Sequence, residues 1–183
     1  MTEQAHHLSP EQAAQFFQDM EAEGEPEVEF NPGIASRIAS KTVAAGVLIN
    51  DEQGRIFFVT PIYKPYPEIP GGVVDANESP YAACQREIRE ELGINIEIGN
   101  LLVVDWMPQH GVWRDSLQFI FDGGVLSEED IRKIRLPPDE LKSFGFHHLG
   151  EVKEMLKPSF YRRLVQANDA KQLNLVKYTD FGR

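Results

Sequence analysis

Apolar residues change their spacing several times along this chain, and the changes mark out its elements. Ala13, Phe16, Phe17 and Met20 recur at helical spacing. Ahead of them, Ser9-Pro10-Glu11-Gln12 offers an N-cap, a first-turn proline and a capping-box glutamine, and Gly24 closes the helix. Residues 42–50 are rich in small and branched apolar side chains and predict a strand, Asp51-Glu52-Gln53-Gly54 a turn, and residues 55–60 the returning strand. Pro61, Pro65, Pro67 and Pro70 then break any regular element. The helical period returns with Tyr81, Cys84, Ile88 and Leu92 in one stripe, bounded by Ser79 as N-cap, Pro80 in the first turn and Gly93 as a left-handed stop. Residues 95–105 predict a strand, as do residues 116–125, with Leu117, Phe119 and Phe121 on one face and Gln118, Ile120 and Asp122 on the other. Ser127 caps a short helix over 128–134, Phe144 and Phe146 mark a strand, and helices are predicted over 149–155 and 159–167. Residues 171–183, with Leu173, Leu175 and Val176, read as an edge strand or a cover over a neighbour.

The helix begun by Ser79 carries unusual chemistry. Glu87, Glu90 and Glu91 share an arc about 100° wide beside the apolar stripe. Like charges three and four residues apart repel by a few tenths of a kcal/mol per pair, and a hard cation among them reverses the sign. Just upstream, Gly71-Gly72 lets backbone approach a ligand with no Cβ in the way. A carboxylate-held Mg²⁺ beside a backbone notch suits a phosphate substrate. A solvated acidic face is the alternative.

The wider pattern is more specific. Gly72, Glu78, Arg86-Glu87-Ile88, Glu90-Glu91 and Gly93-Ile94 stand at every defined position of the Nudix box. At average residue usage a chance match is on the order of 10⁻⁷. The chain therefore resembles the Nudix hydrolase family over about residues 41–165. The resemblance implies an α/β (α+β) fold, a mixed sheet sandwiched between helices with the box helix on one face. It implies that Glu87, Glu90 and Glu91, with Gly72 supplying the notch, hold Mg²⁺ or Mn²⁺. One of these glutamates, or Glu140 just before the strand at 144–146, would deprotonate the attacking water. Arg86 would pair with Glu78 and fix the loop against the helix. The reaction implied is hydrolysis of a diphosphate bond in a nucleoside diphosphate linked to another group. ADP-ribose or another NDP-sugar leads, on Pro108, fourteen residues beyond Ile94, and on the loop of Tyr63, Lys64 and Tyr66. Nucleoside triphosphates, oxidised ones included, and dinucleoside polyphosphates stay open, as does a regulator that binds nucleotide without cutting it. Relatives often place an aromatic residue before the Pro-Gly-Gly; here the run is Pro67-Glu68-Ile69-Pro70.

Tyr63, Lys64 and Tyr66 are candidates to grip a base and a phosphate, as are Trp113 and Arg114 in the loop 106–115; a packed loop is the alternative for the first three. Composition narrows the partners. With 18 Lys+Arg against 29 Asp+Glu the formal charge is −11, a poor match to a nucleic-acid polymer. A nucleotide small molecule is the expected partner. No run of eighteen apolar residues predicts a membrane span, and no signal peptide is read at Met1-Thr2-Glu3-Gln4, so the expected compartment is the cytoplasm. The lone Cys84 falls on the apolar stripe and reads as a small hydrophobe. Three regions are expected: residues 1–40 with the first helix and an acidic connector, a Nudix domain over 41–170, and a tail over 171–183. The first helix packs on the main body or on a second copy, giving a homodimer. His6 and His7 read as solvated residues rather than metal ligands.

Overall fold

The computed structural model describes residues 9–25, 28 and 30–183. The expectations for residues 1–8, His6 and His7 among them, and for much of the acidic connector lie outside the described residues. The chain divides into two units, residues 1–40 and 41–183. In the first, α1 (Pro10–Ala22) starts at the expected capping box, Ser9 Oγ accepting from Gln12 N–H and the Gln12 side chain from Ser9 N–H. A four-residue helix α2 (Ile34–Arg37) follows. None of the residues of α1 is buried.

The second unit is built on one mixed seven-stranded sheet in the order β6-β2-β1-β5-β4-β7, with β3 paired to β1. The strands are β1 (Thr42–Asn50), β2 (Ile56–Pro61), β3 (Gly71–Val73), β4 (Leu101–Met107), β5 (Ser116–Val125), β6 (Leu141–His147) and β7 (Lys177–Asp180). The helices are α3 (Pro80–Leu92), α4 (Glu128–Lys133) and α5 (Pro158–Leu173). β1 runs parallel to β5, and β4 parallel to β7. The alternation along β5 sorts as its sequence predicts. Phe121 and Phe119 join Ala45, Val47 and Ile49 of β1 and Ala83, Cys84, Ile88 and Leu92 of α3 in one apolar layer. Ile120 faces the other layer, with Leu48 and with Leu164, Ala167 and Ala170 of α5. The sheet is thus covered on both faces.

One irregularity shapes the site. β1 and β2 pair at their turn, Asn50 opposite Ile56, and then part company. Nearer its start β1 pairs with β3, Ala44 opposite Val73 and Gly46 opposite Gly71. β2 meanwhile bonds Glu68, whose backbone exchanges hydrogen bonds of 2.8 and 2.9 Å with Val59. Residues 68–73 are therefore wedged between two strands that would otherwise adjoin. Gly71 sits at φ 146°, and a Cβ there would run into the Ala45 backbone. Glycine is what lets this wedge approach β1 so closely.

Three element predictions need correction. Residues 95–100 have no regular structure, and the strand starts at Leu101; Gly99 N–H bonds Asp122 O and Asp122 N–H bonds Asn100 O, so those backbone groups are spent on the β5 edge outside a ladder. Residues 149–155 form turns rather than a helix; Val152 and Leu156 are buried against the α5 layer, and two apolar anchors four apart do not require a helix. The α5 helix runs through residue 170 to Leu173, so the boundary expected at 170 falls inside a helix, while β7 is an edge strand of the sheet, one of the two readings given for residues 171–183. Phe144 and Phe146 do stand on a strand, packed on Phe57 with ring centroids 5.2 and 5.1 Å away.

Candidate active site

The α3 helix is held as its sequence dictates: Ser79 Oγ accepts from Ala82 N–H, Pro80 opens the first turn, and Gly93 adopts φ 67° as the cap. Burial of Cys84, Ile88 and Leu92 fixes the rotation of the helix, which turns Glu87 and Glu91 towards the wedge. Cys84 is wholly buried, its thiol pushed up to about 12 by burial, so it packs rather than reacts. Tyr81, placed with the buried stripe from its spacing, is 38% exposed, its hydroxyl donating to Ile98 O at 3.1 Å.

Arg86 is the organiser of the acidic face. Its Nε and Nη2 donate to the two Glu78 oxygens, each at 2.9 Å, and Nη2 also reaches Val73 O at 3.1 Å. Its Nη1 bridges Glu87 at 2.8 Å and Glu90 at 3.1 Å. One guanidinium therefore ties the exit of β3, the loop and two box glutamates together; a lysine cannot span that fork. The Glu78 hydrogen bonds hold the Arg86 pKa above its ordinary value. Glu78 Oε2 also accepts from Asp75 N–H, which stiffens the loop.

Glu91 is the buried member, 6% exposed, and Gly71 N–H donates to its carboxylate at 3.0 Å. Its pKa is pushed up to about 8, first by burial; Gly71 N–H works against this, while the charges of Glu87, Glu140 and Glu68 add to it. Burial also raises Glu87, helped by Glu90 and Glu140 and opposed by Arg86. Glu140, in the turn before β6, thus bears on both carboxyls across more than 45 residues of chain; its carbonyl accepts from Ile62 N–H at 2.9 Å. Glu90 is the exposed one, its side chain 57% accessible.

A Cβ at Gly72 would land on the Glu87 carboxylate. Since the obstacle is the end of a side chain, Gly72→Ala is expected to fold but to displace Glu87, lowering turnover at least about tenfold. Kinetics together with a melting curve check this; full activity in a folded variant would refute it.

Among the described residues no three acidic, imidazole or thiol groups are gathered into a ready cage for a metal ion. The donor set nevertheless fits Mg²⁺ or Mn²⁺. It consists of hard carboxylate oxygens, one of them buried against a backbone notch with surplus negative charge around it. Mg²⁺ usually takes one or two carboxylates and completes its shell with water and substrate phosphate.

The other predicted residues fall into two groups. Tyr63, Lys64 and Tyr66 stand in the irregular stretch ahead of the wedge. Tyr63 is 65% exposed, and its phenol pKa is raised first by burial and then, against Lys64, by Glu68, Glu140 and Glu91. Lys64 Nζ is already engaged: it bonds both oxygens of Glu68, at 2.9 and 2.7 Å. Tyr66 lies under Lys157, whose Nζ is 4.8 Å from the ring centroid. Trp113 and Arg114 belong to another element, the turn joining β4 and β5, where Trp113 is 69% exposed and exchanges backbone bonds of 3.1 Å with His110. Register places that turn at the end of the sheet where β3 leaves for α3, Ser116 opposite Thr42 and Val73 opposite Ala44. Near it a cavity of about 360 Å³ is lined by Val43, Val74, Glu78, Leu117 and Phe119 among others. Trp106 Nε1 donates to Asp115 at 3.3 Å, and Asp115 also pairs with Lys41.

Sequence reasoning missed Glu68, Lys157 and the Gly71 N–H. Lys64 and Glu68 are four apart, but the spacing means nothing in a segment broken by prolines. Nothing in the sequence ties Lys157 to Tyr66.

The site and the sheet around it have known counterparts. A profile of the NUDIX domain matches residues 40–167. The chain belongs to the NUDIX family, and its fold is that of solved Nudix hydrolases. A MutT-like protein of Streptomyces ambofaciens is 32% identical over 99 residues, a match spanning 53% of this chain and 64% of the relative. A MutT NUDIX hydrolase from Burkholderia pseudomallei is 25% identical with a TM-score of 0.57, covering 70% of this chain and 97% of that one. A UDP-X diphosphatase (TM-score 0.61, 15% identity, 93% and 84% covered) and an ADP-ribose pyrophosphatase from Streptococcus suis (TM-score 0.55, 15% identity, 77% and 99% covered) share the fold. No helix among the described residues is long and apolar enough to cross a membrane.

Proposed function

We propose that the protein hydrolyses the diphosphate bond of a nucleoside diphosphate linked to another group, with ADP-ribose or another NDP-sugar as substrate and Mg²⁺ or Mn²⁺ as cofactor. The observation that carries the reading is the buried Glu91, held by the Gly71 backbone with Glu87 and Glu140 within electrostatic reach. Glu87, Glu90 and Glu91 would hold the ion, which when bound neutralises phosphate charge and lowers the pKa of water. Arg86 keeps the box rigid and offsets Glu87–Glu90 repulsion. A carboxylate, Glu140 or one of the box glutamates, accepts the proton of the attacking water. The water oxygen bonds to phosphorus as the bridging P–O bond breaks, and ADP-ribose yields AMP and ribose 5-phosphate. Likeness in fold to an ADP-ribose pyrophosphatase and a UDP-X diphosphatase supports this substrate class. Nucleoside triphosphates and dinucleoside polyphosphates are the second reading, because the box residues handle the diphosphate whatever it is joined to.

A panel of ADP-ribose, UDP-sugar, nucleoside triphosphate and dinucleoside polyphosphate, each with Mg²⁺, Mn²⁺ or EDTA, tests it. AMP released from ADP-ribose only with metal is expected. No diphosphate bond cut under any condition would leave a nucleotide-binding regulator. A cytoplasmic location goes with this reading. A homodimer through α1 is also proposed, since its Phe17 and Met20 are 40% and 53% exposed. Light scattering showing only monomer at micromolar concentration would end that idea.

A further inference from the structure

Arg86, the cation among the defined box residues, is fully engaged by Glu78, Glu87, Glu90 and Val73 O. Beyond the proposed ion, an anionic substrate approaching Glu87, Glu91 and Glu140 gains from a cation of the protein itself. Lys64 is in the segment that leads to the wedge, but its ammonium is bonded twice to Glu68. Both side chains of this pair are 34% exposed, so solvent and ligand reach them. Their anchorages differ. Glu68 is bolted to β2 through Val59 and runs through buried Ile69 and Pro70 into Gly71, which holds Glu91. Lys64 stands in an irregular stretch between Pro61 and Pro67, on a side chain with four rotatable carbons. The partner that can move is the cation.

We propose that the Lys64–Glu68 pair is an exchange clamp: Lys64 is the residue that takes the substrate's diphosphate, and Glu68 is the positioning residue that holds its ammonium until phosphate takes Glu68's place. The proposal rests on the diphosphate-hydrolase reading and deepens it. The two phosphates offer oxygens of the same charge-assisted kind that Glu68 offers, so the exchange costs Lys64 little. Tyr63, its ring centroid 5.3 Å from Nζ, flanks the ammonium in the parked position. Because Glu68 competes with the ligand, the two partners have opposite effects on binding. Losing Lys64 removes the phosphate's cation and leaves Glu68 as an extra repelling charge. Losing the Glu68 charge frees Lys64 and removes that repulsion. A pair that merely held the loop would weaken binding whichever partner was lost.

The experiment uses the full chain as wild type, Lys64→Ala, Lys64→Arg and Glu68→Gln, measuring ADP binding by calorimetry with Mg²⁺ and steady-state hydrolysis of ADP-ribose. Lys64→Ala is expected to weaken ADP binding and raise KM at least about tenfold, the effect falling on KM rather than kcat, with most of it recovered in Lys64→Arg. Glu68→Gln is expected to tighten ADP and lower KM about threefold. Both variants weakening ADP, or Lys64→Ala leaving its affinity unchanged, would overturn the clamp. So would a kcat loss beyond about tenfold in Glu68→Gln, which would put that carboxylate in the bond-breaking step. A wild type that cuts no diphosphate defeats the hydrolase reading, whereas the ADP affinities still decide the clamp.

Discussion

Glu91→Gln is expected to lower turnover of ADP-ribose about a hundredfold and, in metal-free protein, to raise stability at alkaline pH. The two effects share one cause. Glu91 is buried, its pKa pushed up to about 8 from the ordinary 4.5, so the folded metal-free protein holds a proton that the unfolded chain releases. The sign follows: stability from this group is complete below about pH 4.5 and is lost as pH rises to about 8. The loss is of order a few kcal/mol. Denaturant melts in EDTA between pH 5 and 9 are expected to show that decline in the wild type and a flatter profile in Glu91→Gln. Divalent ion should flatten the wild-type profile too, because a bound cation replaces the proton. A turnover loss below about tenfold would remove Glu91 from the proposed metal-binding set. An unchanged pH profile would show that Glu91 is not buried as described.

The second large effect lies away from the site. Asp105 is wholly buried in β4. It accepts from Arg163 Nε, Thr179 Oγ1 and Gly182 N–H, each at 2.7 Å. Arg163, on α5, is itself 8% exposed at the side chain, and burial lowers its pKa. The neighbouring Arg162 and Trp106 bond the Phe181 carbonyl and N–H, so the chain end is stitched to β4 and α5 together. Asp105→Ala would leave a guanidinium buried without its counter-charge and strip partners from β7 and the Gly182 turn. About 3–5 kcal/mol is expected, or roughly 10 °C in melting temperature for a chain of this size. Replacing both partners, Asp105→Ala with Arg163→Met, should recover much of the loss, since no buried charge is then left alone. Amide exchange in residues 177–180 should rise first. A single variant melting within about 2 °C of wild type would refute this reading.

How far the sequence could be read depended on how far apart the cooperating residues lie. Elements set by neighbours within a few positions came out well: the α1 capping box, the α3 boundaries at Ser79 and Gly93, the alternation in β5. The box was legible because its residues are held within one loop and one helix, where spacing alone decides which side chains meet. Residues 95–100 and 149–155 misled because apolar content was read as an element, while the backbone there bonds locally or to a distant strand edge. The aromatic and cationic loop residues carry no sign of their partners in the sequence, so the Glu68 bonds to Lys64 are visible only in the fold.

By itself the sequence determined the helix that bears the carboxylates, its ends, its buried stripe and the family. Only the tertiary structure decided which carboxylate is desolvated and which stays wet, because that depends on where the wedge 68–73 parts β1 from β2. It also decided that the Glu140 charge bears on Glu87 and Glu91, a role the sequence offered only through the family resemblance, and that Asp105 meets Arg163 and the chain end. Burial and long-range charge are sums over everything that packs nearby, and no local window of residues contains them.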